Sequence, residues 1–268
     1  MSERVHIEVD GGVADVRLNR PDKLNALDTE TFLGLVDAGE KLAADTSVRA
    51  VVLSGEGRAF CSGLDFAGFL AMSGSGEGDG LSTIGATSGR ATHLAQQSAE
   101  AWRELPVPVI AAVHGHCLGG GLQIACGADL RIVHPDAKLS VLEVRWGLTP
   151  DMTITAVLPG LVGPDVAKEL TWTGRTVSGT EAVELGLCTR LADDPRAAAL
   201  ELARELAGKS PHAIRAAKRL FDGNAGRTPA EQYALERHEI GHLIGTPNQV
   251  EAVTAFFEKR SPSFADPS

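Results

Sequence analysis

The period of the hydrophobic positions changes along the chain, and the changes outline a fold. Val5–Val9 and Val13–Leu18 alternate apolar and polar residues, with Asp10-Gly11-Gly12 between them, which predicts a β-hairpin. Asn19–Leu27 is irregular. Asp28 then stands as an N-cap before Thr29–Ala44, where Phe32, Leu35, Val36 and Leu42 have helical spacing. Arg49–Ser54, centred on Val51-Val52-Leu53, and Val109–Val113 are short apolar runs rich in β-branched residues, the pattern of strands buried on both faces. Leu130–Val133 and Lys138–Ser140 predict two further strands. Ala91–Leu105 predicts a helix stopped by Pro106 and Pro108, and a helix is expected from Met152. From Asp165 the pattern is mostly helical, with helices over Glu181–Leu185, Arg196–Ala207, Pro211–Phe221, Thr228–Ile244 and Asn248–Lys259. Alternating strands and helices followed by helices alone predict an α/β core with parallel strands and right-handed crossovers. The expected division is a core over residues 1–200 and a helical region, a lid or an assembly surface, over 201–268.

Two places in this pattern carry glycine where a buried strand ends and a helix begins. Val109–Val113 runs through His114-Gly115-His116-Cys117-Leu118 into Gly119-Gly120-Gly121, after which Leu122, Ile124 and Ala125 have helical spacing. Three glycines cost conformational entropy, so either a tight turn with close helix packing or close approach of a ligand to the backbone must repay it. The unpaired N–H groups of a helix start suit a bound or developing negative oxygen. Ala59–Asp65 is the second such strand end and leads into a helical segment, Phe66–Met72. Residues 73–90 are rich in Ser and Gly and read as a mobile surface loop, either a plain insert or a lid.

Composition narrows the function classes. The chain has 268 residues, 43% of them apolar, enough for a substantial core. A formal net charge of −10 argues against general nucleic-acid binding. No apolar run has the length of a membrane span and no signal-peptide pattern opens the chain, so a cytoplasmic location is expected. Cys61, Cys117, Cys126 and Cys188 form no CxxC pair and read as reduced structural thiols, and no metal cluster is apparent. Gly208-Lys209-Ser210 imitates a phosphate-binding loop, but it follows a helix and lacks the upstream glycine, since Ala203 occupies that position. His114 and His116 have no Ser or Cys nucleophile arranged beside them and read as structural.

Four segments together carry a family resemblance: Asn19–Leu27, Ala59–Asp65, Gly115–Asp129 and Phe256-Phe257-Glu258-Lys259-Arg260. In this order and spacing they resemble the enoyl-CoA hydratase/isomerase, or crotonase, superfamily over nearly the whole chain. The resemblance implies a spiral of ββα repeats with a C-terminal helical trimerisation region, a homotrimer or homohexamer, and an acyl-CoA thioester substrate. Coenzyme A is then part of the substrate, and no separate cofactor, nucleic acid, membrane or metal is implied. The family's two oxyanion-hole amides fall on Leu64 and Gly120. Lys23 and Leu24 match the CoA-binding loop. Lys259 matches a basic residue that meets the CoA phosphates, sometimes from a neighbouring subunit, although a solvated lysine at a helix end has the same sequence appearance. Ala26, Ser62 and Asp65 in the matched segments, and Trp146 beyond them, are expected to contact the substrate.

The reaction is read from three positions. Hydratases of the family hold one water between two glutamates; the second is kept as Glu143, and the first is Gln123 here. An amide can orient water or a substrate group but cannot exchange protons as a carboxylate does, which argues against efficient hydration. Asp151, eight residues beyond Glu143, matches an aspartate of the dienoyl-CoA isomerase branch, although that branch carries an acid where Gln123 stands. Moving a proton along a conjugated chain needs two carboxyls on one apolar pocket, and burial there would raise the pKa of each. By their residues alone, Asp151 could cap the following helix and Glu143 could be a surface strand residue paired with Arg145. The expected function is an enoyl- or dienoyl-CoA isomerase using Glu143 and Asp151. The alternatives are a monoenoyl isomerase using Glu143 alone, an enoyl-CoA hydratase, and a non-catalytic acyl-CoA-binding protein.

Overall fold

The computed structural model describes residues 4–65, 85, 87, 89–223 and 226–267. The helical segment expected over Phe66–Met72 and most of the loop expected over residues 73–90 lie outside the described residues.

The predicted hairpin forms from β1 (Val5–Asp10) and β2 (Val13–Leu18), which pair antiparallel. β2 then starts a parallel run through β3 (Ala50–Gly55), β4 (Val109–Val113), β6 (Leu130–Val133) and the short β9 (Arg190–Leu191). A second, smaller sheet joins β5 (His116–Leu118), β7 (Lys138–Ser140) and β8 (Val177–Ser178). β4 and β6 each pass from the large sheet into a strand of the small one. The chain thus winds as a spiral with two strands per turn, and the isolated bridge between Cys61 and Cys117 marks the preceding turn.

The apolar runs are unbroken because both faces of the large sheet are covered. Val51, Leu53, Val109, Ala111 and Val113 face the main core, while Ala50, Val52, Ile110 and Ala112 face α7 (Pro195–Ala207). α7 presents Ala199, Ala203 and Ala207, a small-residue face that lets helix and sheet approach closely, and it runs across the boundary expected at residue 200. Asp15, on β2 between β1 and β3, faces the same side and is neutralised by Arg196 of α7.

α1 (Thr29–Ala44) begins at Asp28, whose carboxylate accepts the Thr31 N–H at 2.8 Å, as the sequence predicts. α2 (Leu94–Glu104) packs between α1 and α3 (Gly120–Gly127). The helix expected from Met152 begins two residues later as α4 (Ile154–Val162), because Thr153 adopts a left-handed conformation at φ 68°. The rest is helical: α5 (Pro164–Thr173), α6 (Gly179–Glu184), α8 (Pro211–Asp222), α9 (Pro229–Leu243) and α10 (Pro247–Glu258). No helix among the described residues is long and apolar enough to cross a membrane.

Candidate active site

Three chain segments converge on one pocket, and each is held there by backbone chemistry. In the first, β5 ends at Leu118 and Gly119 turns the chain at φ 51°, ψ −122°, a conformation that L-residues rarely adopt. The Gly119 N–H donates to Ser140 O at 2.9 Å, and α3 begins at Gly120. As the first helical residue, Gly120 has an N–H with no intrahelical acceptor. Gly121 is glycine for packing: a Cβ there would lie 2.7 Å from both Cβ and O of Cys61.

The second segment, Ala59–Asp65, is zipped to both neighbours. Phe60 and Cys61 N–H groups donate to His114 O and His116 O, and Ser62 N–H donates to Leu24 O. Gly63 O accepts the Leu27 N–H at 2.8 Å, and Asp65 N–H donates to Leu27 O at 3.0 Å. In an extended chain successive residues alternate sides, so Leu64 turns its own N–H away from Leu27. Leu64 and Gly120 line the same pocket.

Asn25 anchors the loop behind this segment. Its Oδ1 accepts the Arg20 N–H at 2.8 Å, and its Nδ2 donates to Glu56 O and Ala59 O at 3.0 and 2.8 Å. Its φ of 55° is one that asparagine tolerates better than most residues. Sequence reading had no signal for this beyond an asparagine in an irregular polar loop.

The third segment leaves β7 and makes a 3-10 turn over Glu143–Trp146, closed by Gly147 at φ 71°. Glu143 is thus neither a surface strand residue nor, among the described contacts, a partner of Arg145. Gln123, 1% exposed, fixes it. The Met152 N–H donates to Gln123 Oε1 at 2.8 Å. That bond sets which end of the amide is which, so Nε2 donates to Glu143 Oε1 at 2.5 Å. Glu143 Oε2 is buried and has no hydrogen-bond partner among the described residues. Burial pushes the Glu143 pKa up; local backbone amides and Gln123 oppose this, and Asp151 adds to it.

Asp151 lines the pocket at its mouth, with its side chain 65% exposed. It does not cap α4, whose N-cap is Thr153 without a side-chain hydrogen bond. The expectation of two desolvated carboxyls therefore holds for Glu143 and not for Asp151, because the loop over residues 147–153 carries Asp151 toward solvent. Asp151 Oδ2 lies 3.9 Å from His93 Nε2 at the head of α2.

The pocket encloses about 410 Å³, within the range of small-molecule sites. Its apolar wall includes Leu27, Phe32, Leu142, Leu148 and Met152, and Trp146 adds a 56% exposed indole. Ser62 and Gln123 also line it. Phe32 and Met152 escaped the sequence reading as pocket residues because both look like ordinary core positions. Ala26 is buried, is not among the residues lining the pocket, and offers its carbonyl to Arg20. Asp65 turns its carboxylate to Arg20 Nη1 at 2.8 Å, outside the pocket lining. Lys23 is exposed on the loop, and Leu24 lines a smaller cleft with Arg58, His116 and Lys138. Lys259 ends α10, in the helical region, and is not among the residues lining the pocket.

His114 Nε2 is held 3.1 Å from Gly57 O, outside the pocket lining. All four cysteines are buried and unbridged. Burial pushes the Cys61 and Cys188 thiols up to about 12, which leaves them protonated and unreactive at neutral pH. Among the described residues no group of His, Cys, Asp and Glu could hold a metal ion.

The family model described as enoyl-CoA hydratase/isomerase matches residues 8–267. A short-chain-enoyl-CoA hydratase of Clostridium acetobutylicum is 32% identical, with 96% of this chain and 95% of that protein aligned. The mitochondrial delta(3,5)-delta(2,4)-dienoyl-CoA isomerase of Mus musculus is 34% identical over 92% of this chain and 77% of its own length. A crystal structure of an enoyl-CoA hydratase from Bacillus anthracis superposes with a TM-score of 0.87 at 29% identity, covering 97% of this chain and 98% of that one.

Proposed function

The chain belongs to the enoyl-CoA hydratase/isomerase family, and within it we propose an acyl-CoA isomerase that moves the double bonds of a dienoyl-CoA thioester with Glu143 and Asp151. The observation that carries this reading is the state of Gln123. Where a hydratase needs a second carboxylate to activate water, this chain has an amide already committed at both ends, to Met152 N–H and to Glu143. That leaves one desolvated carboxyl with a free oxygen and a second carboxyl at the pocket mouth, an arrangement suited to taking a proton from one carbon and returning one to another.

Glu143 Oε1 lies 3.3 Å from where a Cβ on Gly119 would sit, next to the Gly120 amide. We therefore assign the thioester end of the substrate to the Leu64 and Gly120 amides and C2 to Glu143. Removing the C2 proton of a 3,5-dienoyl-CoA gives a dienolate whose charge rests on the thioester oxygen. Two fixed backbone donors there avoid solvent reorganisation, and loss of one typically costs ~2.7–4 kcal/mol. A proton returned at C6, on the Asp151 side, leaves the conjugated 2,4-dienoyl product. One C–H bond breaks and one forms, so the scheme needs no cofactor. The basic groups Lys23, Arg58 and Lys138 beside Leu24 supply positive charge for the CoA phosphates. Exposed Ile240 on α9, Ile244 at its C-cap, and Phe256 and Phe257 on α10 support homotrimer or homohexamer assembly, which would bring Lys259 to a neighbouring site.

The test is turnover of 3,5-dienoyl-CoA by wild type, Glu143→Gln and Asp151→Asn, read from the absorbance of the conjugated product. Hydration of 2-enoyl-CoA and the shift of 3-enoyl-CoA run in parallel. Losses of at least about a hundredfold in both variants, ~2.7 kcal/mol of barrier, support the two-carboxyl reading. Turnover of 3-enoyl-CoA alone with a harmless Asp151→Asn assigns the chemistry to Glu143 by itself. Net hydration as the main activity rejects the isomerase reading, and tight binding with no exchange of C2 protons would make the chain an acyl-CoA-binding protein.

A further inference from the structure

One side chain at the pocket mouth has no part in the scheme above. His93 is the N-cap of α2, and it forms a reciprocal pair with Gln96: its Nδ1 accepts the Gln96 N–H at 3.3 Å, and Gln96 Oε1 accepts the His93 N–H at 3.1 Å. A ring nitrogen that accepts a hydrogen bond carries no proton. The capping box therefore selects the tautomer with the proton on Nε2. That N–H is the one nearest Asp151, with Nε2 at 3.9 Å from Oδ2. The two partners are unequal. His93 is 21% exposed and locked by the cap, while Asp151 is 65% exposed on a loop. Ala95, two residues along α2, already lines the pocket, so the head of this helix is part of its wall.

We propose that His93 is a positioning residue for Asp151: its fixed Nε2–H draws the carboxylate inward and orients it toward the far end of the bound acyl chain. Such contacts are often long in the free enzyme and tighten when substrate excludes water. The proposal rests on the two-carboxyl reading and deepens it. Glu143 and His93 are two titratable groups near Asp151 among the described residues. The capping box is a sequence-local feature, whereas the contact with Asp151 exists only because α2 and the loop before α4 meet at the pocket mouth.

The capping and positioning roles separate cleanly. His93→Asn keeps a side-chain oxygen that can accept the Gln96 N–H, since asparagine is among the preferred N-caps, but it has no group reaching Asp151. With 3,5-octadienoyl-CoA as the probe in deuterated buffer, two rates are measured: wash-in of deuterium at C2 and net formation of the 2,4-dienoyl product. Thermal melting runs alongside. We expect His93→Asn to melt with wild type, to keep C2 exchange within about threefold, and to lose at least tenfold in net isomerisation. We also expect it to add nothing to the loss already seen in Asp151→Asn, because residues acting as a unit are not additive. Wild-type isomerisation by His93→Asn, an equal loss in both rates, or a loss that multiplies with that of Asp151→Asn each overturns the proposal. If Asp151→Asn is itself harmless, the two-carboxyl reading fails and takes this inference with it. If Asp151→Asn is impaired and His93→Asn is not, only the role of His93 fails.

Discussion

Glu143→Gln should make the protein more stable while removing its activity. Of the two carboxyls lining the pocket, Glu143 is the one taken out of water, and burial, with Asp151 adding to it, holds its pKa above the ordinary carboxylate range. A carboxyl raised in this way stabilises the fold fully only below its unfolded pKa of about 4.3. That contribution is lost as pH rises through the raised folded value. Once pH has risen past that raised value, the native state carries a buried anion, whereas the same carboxylate in the unfolded chain is hydrated. In the variant, the side-chain oxygen can still accept from Gln123 Nε2, and the anionic Oε2 with no partner among the described residues is replaced by a neutral amide. An unsatisfied buried polar group costs about 1–3 kcal/mol. The amide also lacks a partner, so the expected gain is in the lower part of that range, about 1–2 kcal/mol. At about 2–4 °C per kcal/mol for a chain of this size, the melting temperature should rise by roughly 2–8 °C at pH 7. The gain should shrink toward zero near pH 4. The assay is thermal melting of both proteins from pH 4 to pH 8, with dienoyl-CoA turnover measured on the same samples. A variant less stable than wild type at pH 7, or a difference that does not change with pH, would refute the reasoning.

Gln123→Glu would place a second carboxyl at hydrogen-bond distance from Glu143, where the two must share one proton. Hydration of 2-enoyl-CoA should then rise relative to isomerisation; an unchanged ratio would show that this position does not set the reaction. Asn25→Ala removes three hydrogen bonds, one within the Asn19–Leu27 loop and two that tie this loop to the Glu56–Ala59 turn, and should lower stability by about 2–4 kcal/mol in urea denaturation. Gly121→Ala drives a methyl into the Cys61 backbone oxygen, which cannot swing aside, and should cost at least about 2 kcal/mol in the same assay.

Local periodicity was enough to locate most of the fold. β4, β6 and β7 occupy the residues their apolar patterns mark out, and α1 starts at its Asp28 cap, because strand and helix periods and capping are properties of neighbouring residues. β5 was not legible: His116-Cys117-Leu118 is a three-residue strand between glycines, and its pairing with β7 exists only once the spiral closes. α2 starts at Leu94 rather than Ala91 because His93 acts as its cap, a role that statistics assign to smaller polar residues.

The site divides along the same line. The family resemblance carried by the motifs marked Leu64, Gly120, Gln123, Glu143 and Asp151, and all five line one pocket. Their burial could not be read from spacing. Glu143 and Asp151 belong to one short segment, yet one is desolvated against Gln123 and the other stands at the mouth near His93. The sequence by itself determined which residues alternate, which turn at glycine and which polar groups accompany the glycine-rich strand end. Only the tertiary structure decided which carboxyl lost its water and which side chain holds it, because desolvation and side-chain hydrogen bonds depend on the distance between segments remote in the chain.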